Sequence, residues 1–83
     1  MKNKINHGGS CGYSGAGTLD SIKNSDTGAA YNVTVESKSN SDGSTSQQNY
    51  YVLAGGTTQI GCTQAPAGFA SWTNTIVGEV KAP

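Results

Sequence analysis

Residues 30–37 read Ala30-Tyr31-Asn32-Val33-Thr34-Val35-Glu36-Ser37, and their alternation decides the fold. Tyr31, Val33 and Val35 fall on every second residue with Asn32, Thr34 and Glu36 between them, the period of a strand with one buried face. The polar stretch that follows, residues 38–47, contains Asp42-Gly43, a pair favoured at the centre of a two-residue hairpin turn. A turn centred there sets Val35 opposite Tyr50, Val33 opposite Val52 and Tyr31 opposite Ala54. All three pairs are apolar and share one face, an agreement that a one-residue slip would destroy.

Working outward, Gly55-Gly56 poses a choice. A second tight hairpin would set Tyr51 opposite Ile60 and Leu53 opposite Thr58, on the face away from Val52. A chain that crosses at this corner into a second sheet removes the conflict. Residues 57–62 then begin the second sheet, residues 63–71 loop around Ala65-Pro66-Ala67-Gly68, and residues 72–80 form the last strand with Trp72, Ile76 and Val80 on a common face. Upstream, Leu19 and Ile22 are out of phase, so residues 19–24 read as a short edge strand ended by Asn24-Ser25-Asp26-Thr27-Gly28. Residues 1–18, with Gly8, Gly9, Gly12, Gly15 and Gly17, have no apolar period and read as an irregular Gly-rich N-terminal arm. The expectation is an all-β chain: a small two-layer β-sandwich of about five to seven short antiparallel strands over residues 19–83, preceded by the arm. Its core is Ile22, Tyr31, Val33, Val35, Tyr50, Val52, Ile60, Trp72, Ile76 and Val80. No 3.6-residue apolar stripe supports a helix.

The composition limits what such a domain can do. Eighty-three residues make one small domain, and half of them are Gly, Ser, Thr, Asn or Gln. Apolar residues are few, but they are bunched in alternating runs and the net charge is zero, which argues against disorder. Five Lys balance five acids with no Arg, so the electrostatic footprint of a nucleic-acid binder is missing. No run approaches a membrane span. Met1-Lys2-Asn3-Lys4 carries the charge of a signal-peptide start, yet Ile5-Asn6-His7-Gly8-Gly9 is not the apolar segment that should follow.

Cys11 and Cys62 leave two arrangements open. Paired, they close a loop of about 50 residues, a staple of roughly 4 kcal/mol for a thin core. Unpaired, they are two reduced thiols. The staple is favoured because small polar domains rely on such bridges outside the cell, which implies an extracellular or periplasmic location and a leader removed before Met1. A cytoplasmic location stays open.

Chemical motifs are weak. Gly12-Tyr13-Ser14-Gly15-Ala16 differs from a nucleophile elbow at its last position, and no strand precedes it. His7 with Cys11 could be drawn as base and nucleophile, but nothing in the sequence orients them. Asp42 and its Ser neighbours lack the spacing of a calcium loop, and no metal or cofactor set is present. Asn32-Val33-Thr34 matches a glycosylation sequon.

The stretches Ala29-Ala30-Tyr31-Asn32-Val33-Thr34-Val35 and Tyr51-Val52-Leu53-Ala54-Gly55-Gly56-Thr57-Thr58-Gln59-Ile60-Gly61 follow the strand, corner and strand order that resembles small immunoglobulin-like bacterial domains. The same order is similar to that of microbial alpha-amylase inhibitors of the tendamistat type. That inhibitor family has a Trp-Arg-Tyr contact triplet and four cysteines. This chain has no Arg and two cysteines, so no functional residue carries over. The resemblance implies an immunoglobulin-like sandwich.

The expected function is therefore a non-enzymatic, exported binding or accessory module. Its candidate ligand-binding residues are Tyr51, Leu53, Thr34 and Asn32, on the face away from the core, where a tyrosine among short polar groups suits a glycan or a protein partner. A covering third layer, the arm or the loop of Phe69, is the competing explanation of that face. Two other classes are a structural subunit that self-associates through sheet edges or the arm, and a small hydrolase inhibitor acting through residues 39–46 or 63–71.

Overall fold

In the computed structural model, which describes residues 2–12, 15–40, 42–64 and 71–83, six strands form two antiparallel sheets. The strands are β1 Asn3–Cys11, β2 Gly17–Asn24, β3 Tyr31–Ser39, β4 Thr45–Val52, β5 Thr57–Cys62 and β6 Trp72–Lys81. One sheet has the order β1-β2-β5 and the other β4-β3-β6. No α-helix occurs among the described residues, so none is long and apolar enough to cross a membrane. The chain is a small all-β sandwich.

The core lies between the sheets. Ile22 from β2, Val33 and Val35 from β3, and Val52 from β4 are fully buried, with Ile5, Tyr31, Tyr50, Ile60 and Ile76 packed around them. The corner at Gly55-Gly56 does carry the chain from one sheet to the other: Gly55 adopts φ 63°, Gly56 N donates to Leu53 O at 2.9 Å, and β5 begins in the sheet opposite β4. The parity conflict is resolved as expected.

The β3–β4 register is offset by two residues from the expected one. Val33 opposes Tyr50 and Tyr31 opposes Val52, because the hairpin closes through Ser39 N to Ser44 O (2.7 Å) rather than through a two-residue turn. Gly43, at φ 76°, sends its N–H back to Ser39 O at 3.0 Å and thus ends a longer loop. A shift of two residues preserves the face of every side chain, so the apolar set still points inward.

The arm expected over residues 1–18 is corrected: Asn3–Cys11 is a strand. Asn3, Ile5 and His7 oppose Asn24, Ile22 and Asp20, and the register shifts between His7 and Ser10, where Gly8 and Gly9 lie. Two of those three inward residues are polar, so no apolar period announces the strand. With β1 in place, β2 is the middle strand of its sheet and not an edge. Its inward residues are Asp20, Ile22 and Asn24, and Leu19 turns outward at 36% exposure.

Val80 is the other correction. It is 69% exposed, because the β3–β6 register shifts between Thr34 and Val35 and inserts one extra residue into β6. Beyond this bulge Glu79, not Val80, opposes the inward Val33. Of the 63–71 loop, Gln64 and Ser71 form an isolated bridge and residues 65–70 lie outside the described residues.

Candidate functional site

Along β3 the inward-facing series runs Tyr31, Val33, Val35 and then, in the same phase, Ser37 and Ser39. On β4 the matching series runs from Val52 and Tyr50 to Gln48 and Ser46. One half of this inner face is therefore apolar and the other carries hydroxyl and amide groups. Short polar side chains cannot fill the space between two sheets about 10 Å apart. A cleft of ≈ 440 Å³ results, floored by Ser37, Ser46, Gln48 and Tyr50, with Ile60 and Cys62 of β5 and Trp72 of β6 at its walls. Its described lining carries no charged side chain. Inside it, the Tyr50 hydroxyl donates to Gln48 Oε1 at 3.1 Å.

Behind the cleft a buried polar chain links the sheets. Asp20 is fully buried on β2. Its Oδ1 meets His7 Nδ1 at 2.7 Å and accepts from the Thr18 hydroxyl at 3.0 Å, while its Oδ2 accepts from Asn74 Nδ2 of β6 at 3.0 Å. Asn74 Oδ1 in turn accepts from the Ser37 hydroxyl at 2.6 Å. A buried carboxylate is tolerated when its lone pairs are occupied in this way. The geometry orients His7, whose side chain stays 64% exposed. Cys11 is bonded to Cys62, so the pairing of His7 with a cysteine nucleophile has no thiolate to act. Among the described residues no three His, Cys, Asp or Glu side chains gather to hold a metal ion.

The disulfide stands beside the cleft. It joins the end of β1 to the end of β5 across a sequence separation of 51, and Gly17 fits tightly against it, since a Cβ there would lie 3.1 Å from Cys62 Sγ.

The outer face of the β4-β3-β6 sheet carries the residues singled out from the sequence. Asn32 is paired with Tyr51 on one side and Val80 on the other, and Thr34 lies one row along, its hydroxyl donating to Asn49 Oδ1 at 2.8 Å. Asn32, Thr34 and Tyr51 are thus brought together. Leu53 lies beyond the end of β4, where its carbonyl accepts from Asn24 Nδ2 at 3.1 Å. Tyr51 and Leu53 are 54% and 63% exposed. The N-terminal segment that could have covered them belongs to the other sheet, and Phe69 lies outside the described residues. At the hairpin tip, Asp42 Oδ1 accepts from Ser44 N (3.0 Å) and the Ser44 hydroxyl (2.8 Å). Those bonds hold its carboxyl below the usual value and use it as a turn cap. Tyr13 and Ser14 of the elbow-like motif lie outside the described residues.

Sequence reasoning counted Tyr50 and Trp72 as core and missed the cleft they border. The signal was present in the inward phase itself, which turns polar at Ser37 and Gln48. No protein-family model, no curated protein and no solved structure matches this chain.

Proposed function

We propose that the chain is a non-enzymatic binding module, exported from the cell, that takes a neutral glycan into the cleft between its sheets. The observation that carries this reading is the lining: hydroxyl and amide groups from Ser37, Ser46 and Gln48 beside the aromatic rings of Tyr50 and Trp72, with no charge. Sugars offer alternating hydroxyl groups and flat C–H faces, and polar groups set beside an aromatic ring match both. The His7–Asp20 pair lacks a described nucleophile or metal partner and serves to brace β1 and β2. The Cys11–Cys62 disulfide is compatible with an oxidising compartment and supports the export part of the reading.

A second surface has its own support. Tyr51 stands exposed between Asn32 and Thr58, whose hydroxyl donates to Tyr51 O at 2.8 Å, in a setting suited to a glycan or a protein partner. A glycan array with the wild type, Trp72→Ala and Tyr51→Ala separates the two. Binding to one class of neutral sugar that is lost with Trp72→Ala supports the cleft. Loss with Tyr51→Ala alone moves the site to the outer face, and a flat array removes the glycan reading.

A further inference from the structure

Among the described residues four strands lie at sheet edges: β1 and β5 in one sheet, β4 and β6 in the other. Edge strands expose unpaired backbone groups, and natural proteins blunt them with bulges, charges or proline. Here β1, β5 and β6 each meet their neighbour through a register shift, whereas the β3–β4 ladder runs without one from Tyr31↔Val52 to Lys38↔Thr45. In addition β4, Thr-Ser-Gln-Gln-Asn-Tyr-Tyr-Val, holds no charged residue and no proline, and its residues from Thr45 to Asn49 are exposed. Among the described strands, the one regular edge is also the one without a deterrent.

The direction of its free groups follows from the ladder. Ser39 N donates to Ser44 O, which makes that facing pair a hydrogen-bonded one. By alternation the even residues Ser46, Gln48, Tyr50 and Val52 are bonded to β3, and the odd residues Thr45, Gln47, Asn49 and Tyr51 turn their N–H and C=O outward. The Thr58 hydroxyl reaching Tyr51 O from outside the sheet agrees with this assignment.

We propose that this edge pairs with β4 of a second copy of the chain, antiparallel about a two-fold axis through Gln48. That register is the one that engages all four outward residues at once, with Tyr51 O, which already accepts from the Thr58 hydroxyl, offering its second lone pair. Thr45 then lies opposite Tyr51 of the partner subunit, and Gln47 opposite Asn49 of the partner subunit, in hydrogen-bonded pairs. No like charges meet across the junction, and a chain with zero net charge has no overall repulsion to overcome. A two-fold of this kind is self-complementary and closes at two copies. It leaves both inner faces on one side of a joined six-stranded sheet, so that Gln48 and Tyr50 of each copy extend the floor of the other's cleft. The pairing does not depend on the ligand assigned to that cleft.

Sedimentation velocity from micromolar to millimolar protein tests the pairing. The wild type is expected to shift from monomer to dimer with concentration. Gln47→Lys combined with Asn49→Lys sets lysines opposite each other across the two-fold and is expected to raise the dimer dissociation constant about tenfold or more. Asn49→Pro removes an outward N–H without touching a backbone bond to β3, losing only the side-chain bond from the Thr34 hydroxyl, and is expected to do the same. Near-UV circular dichroism matching the wild type shows that each variant is folded, and the lysine pair remains informative should the proline variant not fold. Thr75→Lys, on the exposed side of β6, is expected to leave the dimer intact. A wild type that stays monomeric throughout, or a dimer that survives the folded variants, overturns the proposal.

Discussion

The Asp20 carboxylate of one sheet accepts a hydrogen bond from the Asn74 amide of the other at 3.0 Å, in the buried interior of the sandwich. This contact ties together two sheets whose fully buried apolar core, among the described residues, is Ile22, Val33, Val35 and Val52. Asp20→Ala strands the buried Asn74 N–H, which costs about 1–3 kcal/mol, and frees the half-buried Thr18 hydroxyl. The variant is expected to lose a large part of the domain's stability in urea unfolding. His7→Ala removes a mostly exposed partner of the same carboxylate and is expected to cost under about 1 kcal/mol. Equal losses from the two variants would show that His7 and not Asn74 carries the network.

A second tie between the sheets titrates. Glu79 Oε1 accepts from Asn3 N (3.0 Å) and Asn3 Nδ2 (3.2 Å), and its Oε2 from Lys2 N (3.0 Å). Burial alone would raise the Glu79 carboxyl, but the donors from Lys2 and Asn3 outweigh it and hold the group below its ordinary value of 4.5. Because the folded value is the lower one, the contribution is complete above 4.5 and is lost as the pH falls through the folded value. Glu79→Gln cannot titrate. It is expected to lower stability at neutral pH and to flatten its decline in acid, which urea midpoints from pH 7 down to about pH 3 would record.

Legibility of the sequence varied with how each element earns its place. The β3 strand and the corner at Gly55-Gly56 were readable because apolar period and turn chemistry are local properties. β1 was not, since Asn3 and His7 are held by Glu79 and Asp20, far away in sequence, and a polar inward residue looks like loop. Val80 failed because one extra residue in β6 inverts the phase, and nothing near Val77-Gly78 marks the bulge before the β3 register is known. The exposure of Tyr51 followed from parity alone, while the cleft depends on both sheets and on the absence of large side chains at Ser37 and Ser46. Parity can be counted along one strand; a space between two sheets cannot.

Glycine substitutions separate backbone strain from crowding. Gly43 has φ 76° with open space around it, so Gly43→Ala is expected to cost about 1 kcal/mol through the backbone alone. At Gly17 the backbone is ordinary, but a Cβ would lie 2.8 Å from Gln64 Cβ and 3.1 Å from both Cys11 O and Cys62 Sγ. Gly17→Ala is expected to be the more damaging change, at about 1–3 kcal/mol for overpacking. Gly78, with neither a positive φ nor a neighbour within 4 Å, is the control. Thermal midpoints should fall in the order Gly78→Ala, Gly43→Ala, Gly17→Ala, the last being lowest.

The disulfide connects stability to the cleft. Cys11 and Cys62 close a separation of 51 residues, and the loop-entropy estimate for that span is roughly 4 kcal/mol. With four fully buried apolar residues among the described ones behind it, the bridge supplies a large share of the few kcal/mol that keep a small domain folded. Cys11→Ser with Cys62→Ser is expected to lower the urea midpoint sharply, as is a thiol reductant on the wild type, and both should act in one transition because the bridge joins β1 to β5 directly. Cys62 also lines the cleft, next to Gly61 and Ile60. Ligand affinity measured under conditions where the double-serine variant is still folded should therefore fall as the β5 wall loses its anchor. A reduced protein that unfolds at the wild-type midpoint would mean that the sandwich holds without its staple, with the hydrogen bonds of Asp20 and Glu79 supplying more of its stability than the small core suggests.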